Sequence, residues 1–342
     1  MRVLVTGHRG FIGSVMVPLL LQAGHDVVGL DTDYYRDCDF LPASAQVPAL
    51  WKDIRETERS DVAGFDAIIH LAALSNDPLS DLDPELTFDI NHRATVRLAR
   101  LARDSGVQRF IFSSSCSNYG ASGDRLLDET AEFNPVTPYG VSKVRAEQEL
   151  LELASDDFSP VLLRSATAYG VSPRLRCDIV LNNLTAWAVA TGKVLIKSDG
   201  MAWRPIVHVE DIGRAFVAAL DAPRAAVHAE AFNVGRPEEN YRIRELAEIV
   251  RNTVPGCVIE YAGGASADVR NYRVDASKIA RVLPAFRPQW TAPEGAAQLY
   301  RAFSDARITV DDFEGSRFRR IGQITRLLNT NRVDKSLRWL RD

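Results

Sequence analysis

The chain has 342 residues, a net charge of −4 and a hydrophobic content of 46%, which are ordinary values for a globular protein with one large or two small cores. The acidic balance argues against nucleic acid or an anionic membrane as a general partner. No apolar run approaches the ~18 residues of a membrane span, and we expect no signal peptide. The four scattered cysteines lack metal-ligand spacing, so we expect a cytoplasmic location and no metal site.

A strand, a glycine-rich turn and the start of a helix follow one another at the beginning of the chain. Val3-Leu4-Val5 predicts a buried strand, and Gly7, Gly10 and Gly13 precede an apolar-periodic segment. Glycines let a pyrophosphate approach the backbone N–H groups of the helix N-terminus, so this turn indicates dinucleotide binding. The alternative is an ordinary strand–helix turn, since the glycine spacing differs from that of the common fingerprint.

The second predicted strand, residues 26–30, is followed by a carboxylate that bears on the choice of cofactor. Asp31 lies close to the offset expected for the acid that holds the adenosine ribose. Its charge would repel the 2′-phosphate of NADP and so favours NAD. Arg9, inside the glycine turn, could instead pair with that phosphate. We expect NAD, because Arg9 can equally face solvent or the pyrophosphate.

Alternating strands and helices continue to residue 170 and predict an α/β fold. Further strands are expected up to Ile54 and at residues 66–73, 107–115 and 160–164, with helices at 84–105 and 139–154. This order predicts a Rossmann-type doubly wound parallel sheet that binds ligands beyond the carboxyl ends of its strands. Residues 207–209 and a helix over 210–220 predict a return to the sheet. The predicted domains are 1–170 with 205–235 for the dinucleotide, and 171–204 with 236–342 as a smaller mixed α/β substrate domain.

A phenol and an ammonium are predicted to share one helix face, because Tyr139 and Lys143 are four residues apart. A phenol with its ordinary pKa of ~10 is a poor base at neutral pH. A neighbouring ammonium and the positive ring of an oxidised nicotinamide would both lower that pKa. Tyr-x-x-x-Lys alone arises by chance in many helices. Together with the glycine turn, Asp31 and the serines that end at Ser115, it indicates a redox site.

On these motifs the sequence resembles the extended short-chain dehydrogenase/reductases, specifically the nucleotide-sugar epimerase/dehydratase family, over nearly the whole chain. Residues 114–120, Ser-Ser-Cys-Ser-Asn-Tyr-Gly, match the family's Ser-Ser-x-x-Val-Tyr-Gly. The resemblance implies a catalytic triad of Ser115, Tyr139 and Lys143. It implies NAD as cofactor, bound by Gly7, Gly10, Phe11, Ile12, Gly13, Asp31, Asp53, Ile54, Leu71, Ala72, Ala73, Asn91, Tyr139 and Lys143. It implies a nucleotide-diphosphate sugar as substrate, bound by Ser75, Ser117, Thr167, Asn183, Arg204 and Arg270, with Arg273 as the alternative to Arg270.

Two residues depart from the family pattern. Thr167 stands where an asparagine usually touches the substrate, and Asn118 stands where valine is usual. The family's dehydratases carry carboxyl groups directly after the catalytic hydroxyl, whereas this chain has Cys116, which we interpret as a small core filler, and Ser117. We therefore expect an NAD-dependent 4-epimerase with a transient 4-keto intermediate. The alternatives are a 4-keto reductase, which Asp31 disfavours, a 4,6-dehydratase, a decarboxylase and, outside enzymes, an NAD-sensing protein.

The resemblance also implies a homodimer, in which the helices at 84–105 and 139–154 pair with their copies. Apolar positions such as Leu86 and Leu150 support this pairing if one face of the sheet does not bury them. The arginine-rich tail over residues 313–340 has two interpretations, a phosphate-binding surface or a solvated, salt-paired helical cap. We favour the cap.

Overall fold

The computed structural model describes residues 1–43, 45–266 and 270–340. In chain order the strands are β1 (Arg2–Thr6), β2 (Asp26–Asp31), β3 (Ala49–Trp51), β4 (Ala67–His70), β5 (Arg109–Ser115), β6 (Ala121–Leu127), β7 (Ser159–Ser165), β8 (Thr167–Tyr169), β9 (Lys193–Ser198), β10 (Trp203–His208), β11 (Glu230–Val234), β12 (Asn240–Arg242), β13 (Val258–Ser266) and β14 (Asn271–Val274).

The helices in chain order are α1 (Gly13–Gln22), α2 (Arg59–Val62), α3 (Asp77–Ser80), α4 (Pro84–Phe88), α5 (Ala94–Asp104), α6 (Pro138–Glu152), α7 (Val180–Thr191), α8 (Val209–Asp221), α9 (Arg224–Val227), α10 (Ile243–Thr253), α11 (Ser277–Val282), α12 (Ala292–Asp305), α13 (Val310–Glu314) and α14 (Arg320–Asn329). The helix expected over 84–105 is therefore present, with one wider turn at Asp89–Arg93 between α4 and α5. Within the described residues, no helix is long and apolar enough to cross a membrane.

A seven-stranded parallel sheet with the order β11-β7-β5-β4-β1-β2-β3 forms the centre of the molecule. The chain starts in the middle of this sheet, builds one half outward to β3, then returns to build the other half. A doubly wound Rossmann-type sheet is thereby confirmed. Its switch point lies between β1 and β4, and ligand sites form beyond the carboxyl ends of the strands at such a point.

The predicted return of residues 207–209 to this sheet is wrong. Their strand, β10, pairs with β8 and β12 in a separate three-stranded sheet. The edge position beside β7 belongs instead to β11, whose Phe232 and Val234 are fully buried. An apolar strand of this length is buried in either sheet, so its composition cannot distinguish the two positions. The helix after β10 does return, because α8 packs its apolar face against the central sheet beside α1.

Two large clusters of buried side chains lie on the two faces of the central sheet, and a third fills the space among α7, α10 and α12. Leu150 of α6 belongs to the second cluster and is fully buried within its own chain. It therefore cannot supply the exposed apolar surface that the predicted dimer contact requires. Leu86 packs against the same cluster and is partly buried.

Candidate active site

The glycine turn is shaped by close approaches within the protein itself. Gly7 has a φ of +73°, and a Cβ there would lie 2.8 Å from the backbone nitrogen of Ala72. A Cβ on Gly13 would lie 2.3 Å from the carbonyl oxygen of Gly7. The glycines thus let the turn fold tightly against β4's exit and leave the N-terminus of α1 open to a phosphate.

Asp31 lies at the end of β2, where its carboxylate is held by the backbone. It accepts hydrogen bonds from the N–H groups of Arg9 at 2.9 Å and Asp33 at 2.8 Å. The Arg9 guanidinium lies 3.8 Å from the carboxylate of Asp33 and 5.9 Å from the ring centre of Trp51. Arg9 therefore has an acidic neighbour at the point where a 2′-phosphate would have to bind, which favours NAD over NADP.

A cleft enclosing about 950 Å³ of empty space runs along the carboxyl ends of β1, β2 and β4. Most of the predicted cofactor residues line it, namely Gly7, Gly10, Phe11, Ile12, Gly13, Asp31, Asp53, Ile54, Leu71, Ala72 and Ala73. A dinucleotide requires a turn that accepts the pyrophosphate and an acid that binds the adenosine ribose. The glycine turn and Asp31 provide these two features in one cleft, so these residues fit NAD.

Asn91 lies behind this cleft and is fully buried. Its Oδ1 accepts a hydrogen bond from the backbone of Leu74 at 2.7 Å, and its Nδ2 donates to the Leu74 carbonyl at 3.0 Å and to Ser142 Oγ at 3.3 Å. Asn91 thus fixes the loop after β4 to helix α6. Its expected contact with the cofactor is corrected to this supporting position.

A second cleft, of about 1910 Å³, adjoins the first and contains Ser115, Tyr139 and Lys143. Ser115 ends β5, and the other two residues lie on the first turns of α6. Ser115 donates to Ser117 Oγ at 3.0 Å and lies close enough to Tyr139 to act on the pKa of that phenol. Lys143 donates to the carbonyl of Ser113 at 2.7 Å, and its Nζ lies 5.8 Å from the Tyr139 ring centre. The structure therefore brings the three predicted catalytic side chains together.

The protonation of these groups differs from the expectation of a lowered phenol pKa. Burial raises the pKa of Tyr139 to about 12 and outweighs the opposite effect of Ser115. Burial also lowers the pKa of Lys143 to about 7. In the protein alone, Tyr139 is therefore a proton donor at neutral pH. It can act as a base only when a bound cation is added to the site.

A buried ion pair supports the catalytic helix from behind. Glu147, one turn after Lys143, accepts hydrogen bonds from Arg164 Nη2 at 2.7 Å and from Asn118 Nδ2 at 3.0 Å, and it also binds Ser114. Asn118, the residue that departs from the family's valine, thus has a polar partner. This network fixes α6 to the end of β5, where Ser115 lies.

The predicted substrate residues Ser75, Ser117, Thr167, Asn183, Arg204 and Arg270 all line the second cleft. Arg270 forms a 2.5 Å ion pair with Asp77 there. Arg204 donates to the carbonyls of Trp203 and Arg270. Arg273 instead stacks its guanidinium 4.6 Å from the ring centre of Trp203. Of the two arginines left open, Arg270 is the one that reaches the cleft.

Three further polar residues of this region, Asp77, Arg176 and Asp178, are not among those predicted from the sequence. Asp77 begins α3 in the second cleft, accepts a hydrogen bond from Thr137 at 2.7 Å, and helps raise the pKa of Tyr139. Arg176 and Asp178 form a buried 2.8 Å ion pair between the two clefts. Asn76-Asp77-Pro78 follows the end of β4 and is a sequence typical of a helix start. This pattern could have placed Asp77 near the site.

Cys116 points away from the cleft into a small apolar cluster, with its Sγ 3.1 Å from the carbonyl of Arg164. Burial raises the pKa of this thiol well above its ordinary value. Cys116 therefore serves as core and not as an acid or base. In residues 1–43, 45–266 and 270–340, no group of three or more His, Cys, Asp or Glu side chains is placed to hold a metal ion.

Comparisons with known proteins agree with this geometry. The model of the "NAD dependent epimerase/dehydratase family" matches residues 3–235. A UDP-glucose 4-epimerase of Mycolicibacterium smegmatis is 31% identical, over 89% of this chain and 98% of the relative. MoeE5, solved with UDP-glucuronic acid and NAD, has a TM-score of 0.77 at 28% identity, over 90% of this chain and all of that one. The UDP-glucose 4-epimerase of Thermus thermophilus, solved with NAD, has a TM-score of 0.72 at 26% identity, over 89% and 99%. The chain is therefore an NAD-dependent enzyme and belongs to the NAD-dependent epimerase/dehydratase family.

Proposed function

We propose that the protein is a 4-epimerase of a nucleotide-diphosphate sugar. The observation that carries this proposal is the second cleft, where Ser115, Tyr139 and Lys143 meet beside the dinucleotide cleft. Directly after Ser115 the chain offers a thiol buried in the core and an alcohol, Ser117, in place of the carboxyl groups that a dehydratase would use. Besides the hydride acceptor that bound NAD would provide, epimerisation at C4 needs only a base, a hydrogen-bond donor and room for the sugar to turn.

In this mechanism the phenolate of Tyr139 accepts the proton of the sugar 4-hydroxyl, and Ser115 donates a hydrogen bond to the reacting oxygen. When bound in the first cleft, NAD would supply the hydride acceptor and donor that inversion at C4 needs. Lys143 in its protonated form places positive charge next to the phenol, and it would hold the nicotinamide ribose. Arg204 and Arg270 bind the substrate diphosphate, for which the planar guanidinium fork is suited.

The two clefts suggest a division of the chain into two units. We propose that residues 1–170 and 205–235 form the dinucleotide unit, with β10 excluded from its central sheet. Residues 171–204 and 236–342 supply Asn183, Arg270 and the far wall of the substrate cleft. Both arginines assigned to the substrate diphosphate, Arg204 and Arg270, thus belong to the second unit, whereas Ser115, Tyr139 and Lys143 belong to the first.

The second candidate is a 4,6-dehydratase, and Asp77 is the observation that favours it. This carboxylate lies in the same cleft and raises the pKa of Tyr139 by its charge. A dehydratase needs an acid and a base near C5 and C6 of the sugar. Asp77 is paired with Arg270 at 2.5 Å, and for this reason we rank the dehydratase second.

The deciding experiment is incubation with UDP-glucose, UDP-glucuronic acid and dTDP-glucose in D₂O, without added reductant. An epimerase returns the sugar inverted at C4 with no solvent deuterium. A 4-keto-6-deoxy product carrying deuterium would establish the dehydratase. In a parallel incubation, reduction of a nucleotide 4-keto sugar that requires added NADPH would establish the reductase. NAD binding with no product from any nucleotide sugar would favour a sensor.

The Tyr139→Phe variant tests the assignment of the base. It removes one hydroxyl and keeps the packing of the ring, so we expect turnover to fall by ~10²-fold or more. Calorimetric NAD binding should change little and serves as the control. A variant that retains more than about a tenth of the wild-type rate would contradict the role of Tyr139.

We also propose that two copies of the chain pair through the helices at 84–105 and 139–154. With Leu150 buried, the contact has to use other positions, of which Leu151 is 38% exposed on the same helix. Sedimentation at micromolar concentration should give twice the 37.9 kDa of one chain. A monomer under these conditions would refute the pairing.

A further inference from the structure

Arg320, outside the dinucleotide unit, reaches the cofactor cleft. It is the first residue of α14, lines the cleft together with Phe11 and Ile12, and is only 2% exposed. Its guanidinium carbon lies 4.0 Å from the Tyr35 ring centre, and its Nη2 donates to the carbonyl of Arg174 at 2.9 Å. Its Nη1 is buried with no hydrogen-bond partner in the described part of the chain.

The charges around Arg320 are unbalanced toward the positive. Arg176 lines the same cleft, and its Nε lies 2.8 Å from Asp178. Asp178 also accepts a hydrogen bond from the backbone N–H of Arg320 at 3.3 Å, and its charge acts on the Arg320 guanidinium. Among the described residues here, two guanidinium groups thus share one carboxylate. A buried charge without a counterion is costly, so this end of the cleft is built to receive an anion.

The glycine turn defines which anion fits. Phe11 and Ile12 place the N-terminus of α1 in the same cleft, and a helix N-terminus attracts phosphate. Arg320 would therefore act on a pyrophosphate that the turn already positions. A guanidinium offers several N–H donors in one plane and can bind two phosphate oxygens at once.

The segment that carries Arg320 is itself attached to the adenosine side of the cleft. We call residues 319–340 the C-terminal strap. Gln323 donates to the carbonyl of Tyr34 at 2.9 Å, Trp339 donates to the carbonyl of Thr32 at 2.7 Å, and Arg55 donates to the carbonyl of Ser336 at 2.8 Å. These contacts hold the strap against the residues that follow β2 and β3, and so they fix the position of Arg320.

We propose that Arg320 is a cofactor-binding residue that donates from Nη1 to the pyrophosphate of bound NAD, and that the strap's contacts with Thr32, Tyr34 and Arg55 hold it in position. The other arginines of the tail have different roles. Arg317 and Arg326 pair with Asp312 and Asp37 near the surface, as the cap interpretation expects, whereas Arg319 pairs with Glu314 at the second cleft. Of these four arginines, Arg320 alone lines the cofactor cleft.

The test compares Arg320→Met with Arg326→Met. Both arginines lie on α14, but Arg326 is 43% exposed and pairs with Asp37. After removal of retained nucleotide, the affinities for NAD, ADP-ribose and adenosine are measured by calorimetry or NMR titration. A charge-assisted hydrogen bond is worth about 1.5–3 kcal/mol, so Arg320→Met should weaken NAD and ADP-ribose by about 10- to 100-fold. Adenosine binding should stay within twofold, and Arg326→Met should change none of the three.

Two results would overturn the proposal. One is NAD binding by Arg320→Met within threefold of the wild type. The other is an equal loss of adenosine binding, which would mean that the strap is displaced as a whole. If Arg320→Met does not fold, hydrogen exchange of the unmodified protein decides the question. NAD and ADP-ribose should then slow exchange in residues 319–329 while adenosine does not, and equal protection by adenosine would refute the role of Arg320.

Discussion

Replacing Glu147 by alanine breaks the buried ion pair behind the catalytic helix. The side chains of Glu147 and Arg164 are 2% and 6% exposed, with Nη2 and Oε2 2.7 Å apart. Removing one partner of such a pair costs about 3–5 kcal/mol, because the remaining charge stays buried. Arg164 keeps hydrogen bonds to Tyr119 Oη and to the carbonyl of Glu129, so we expect the lower part of this range.

This loss can be converted into a melting temperature. The entropy of unfolding is about 2.1 cal/mol/K per residue, or about 0.7 kcal/mol/K for a chain of this length. The Tm of Glu147→Ala should therefore fall by about 4–6 °C in differential scanning calorimetry of NAD-free protein. The Tm of Glu147→Gln should fall by less, because glutamine keeps the shape of the side chain and some of its hydrogen bonds.

Glu149→Ala is the matched control, two residues further along α6. Glu149 is 37% exposed and binds His92 at 2.6 Å and Arg100 at 3.3 Å. A surface pair contributes about 0–1 kcal/mol, so its loss should move Tm by no more than about 1 °C. Equal shifts for Glu147→Ala and Glu149→Ala would show that the buried pair does not stabilise this helix as argued.

Three further outcomes are expected. The free energy of unfolding of the wild type should rise relative to that of Lys143→Met as pH increases from about 7 toward 10. The pKa of Lys143 is lowered in the fold, so only the unfolded chain binds that proton in this range; chemical denaturation at several pH values measures the difference. Wild-type protein should bind NAD at least about tenfold more tightly than NADP, and Asp31→Asn should reduce that ratio in calorimetry, since like charges in contact cost several kcal/mol. Gly13→Ala should lower stability by about 1–3 kcal/mol in the same denaturation assay, because its Cβ would lie 2.3 Å from a backbone oxygen, whereas Gly263→Ala has open space and should not.

The sequence allowed good prediction where the signal was local. The strand, glycine turn and helix around Gly7 and Gly13 are adjacent in the chain, and so are the two members of the Tyr139–Lys143 pair. Backbone sterics and helix periodicity determine such features within a few residues. The central sheet and the meeting of Ser115 with Tyr139 followed from them.

The remaining features depend on contacts between distant segments. The position of β11 beside β7, in place of residues 207–209, is decided by which apolar strand packs better at that edge. The raised pKa of Tyr139 follows from burial, which the spacing to Lys143 does not reveal. The tail contains several arginines that the sequence alone does not distinguish. In the fold, Arg320 is buried against Tyr35, whereas Arg326 is exposed.

The attachment of the strap has a consequence for how the enzyme acquires its cofactor during folding. Tyr34 donates to the carbonyl of Leu337, and Trp339 donates to Thr32, across sequence separations of 303 and 307 residues. Closing a loop of that length costs on the order of 5 kcal/mol of chain entropy, so such contacts form late. During synthesis the first βαβ units emerge long before residue 337, so a nucleotide bound at that stage would lack the contacts of the strap. Tight retention of NAD should therefore begin only when the strap closes, which makes its release from the finished enzyme slow.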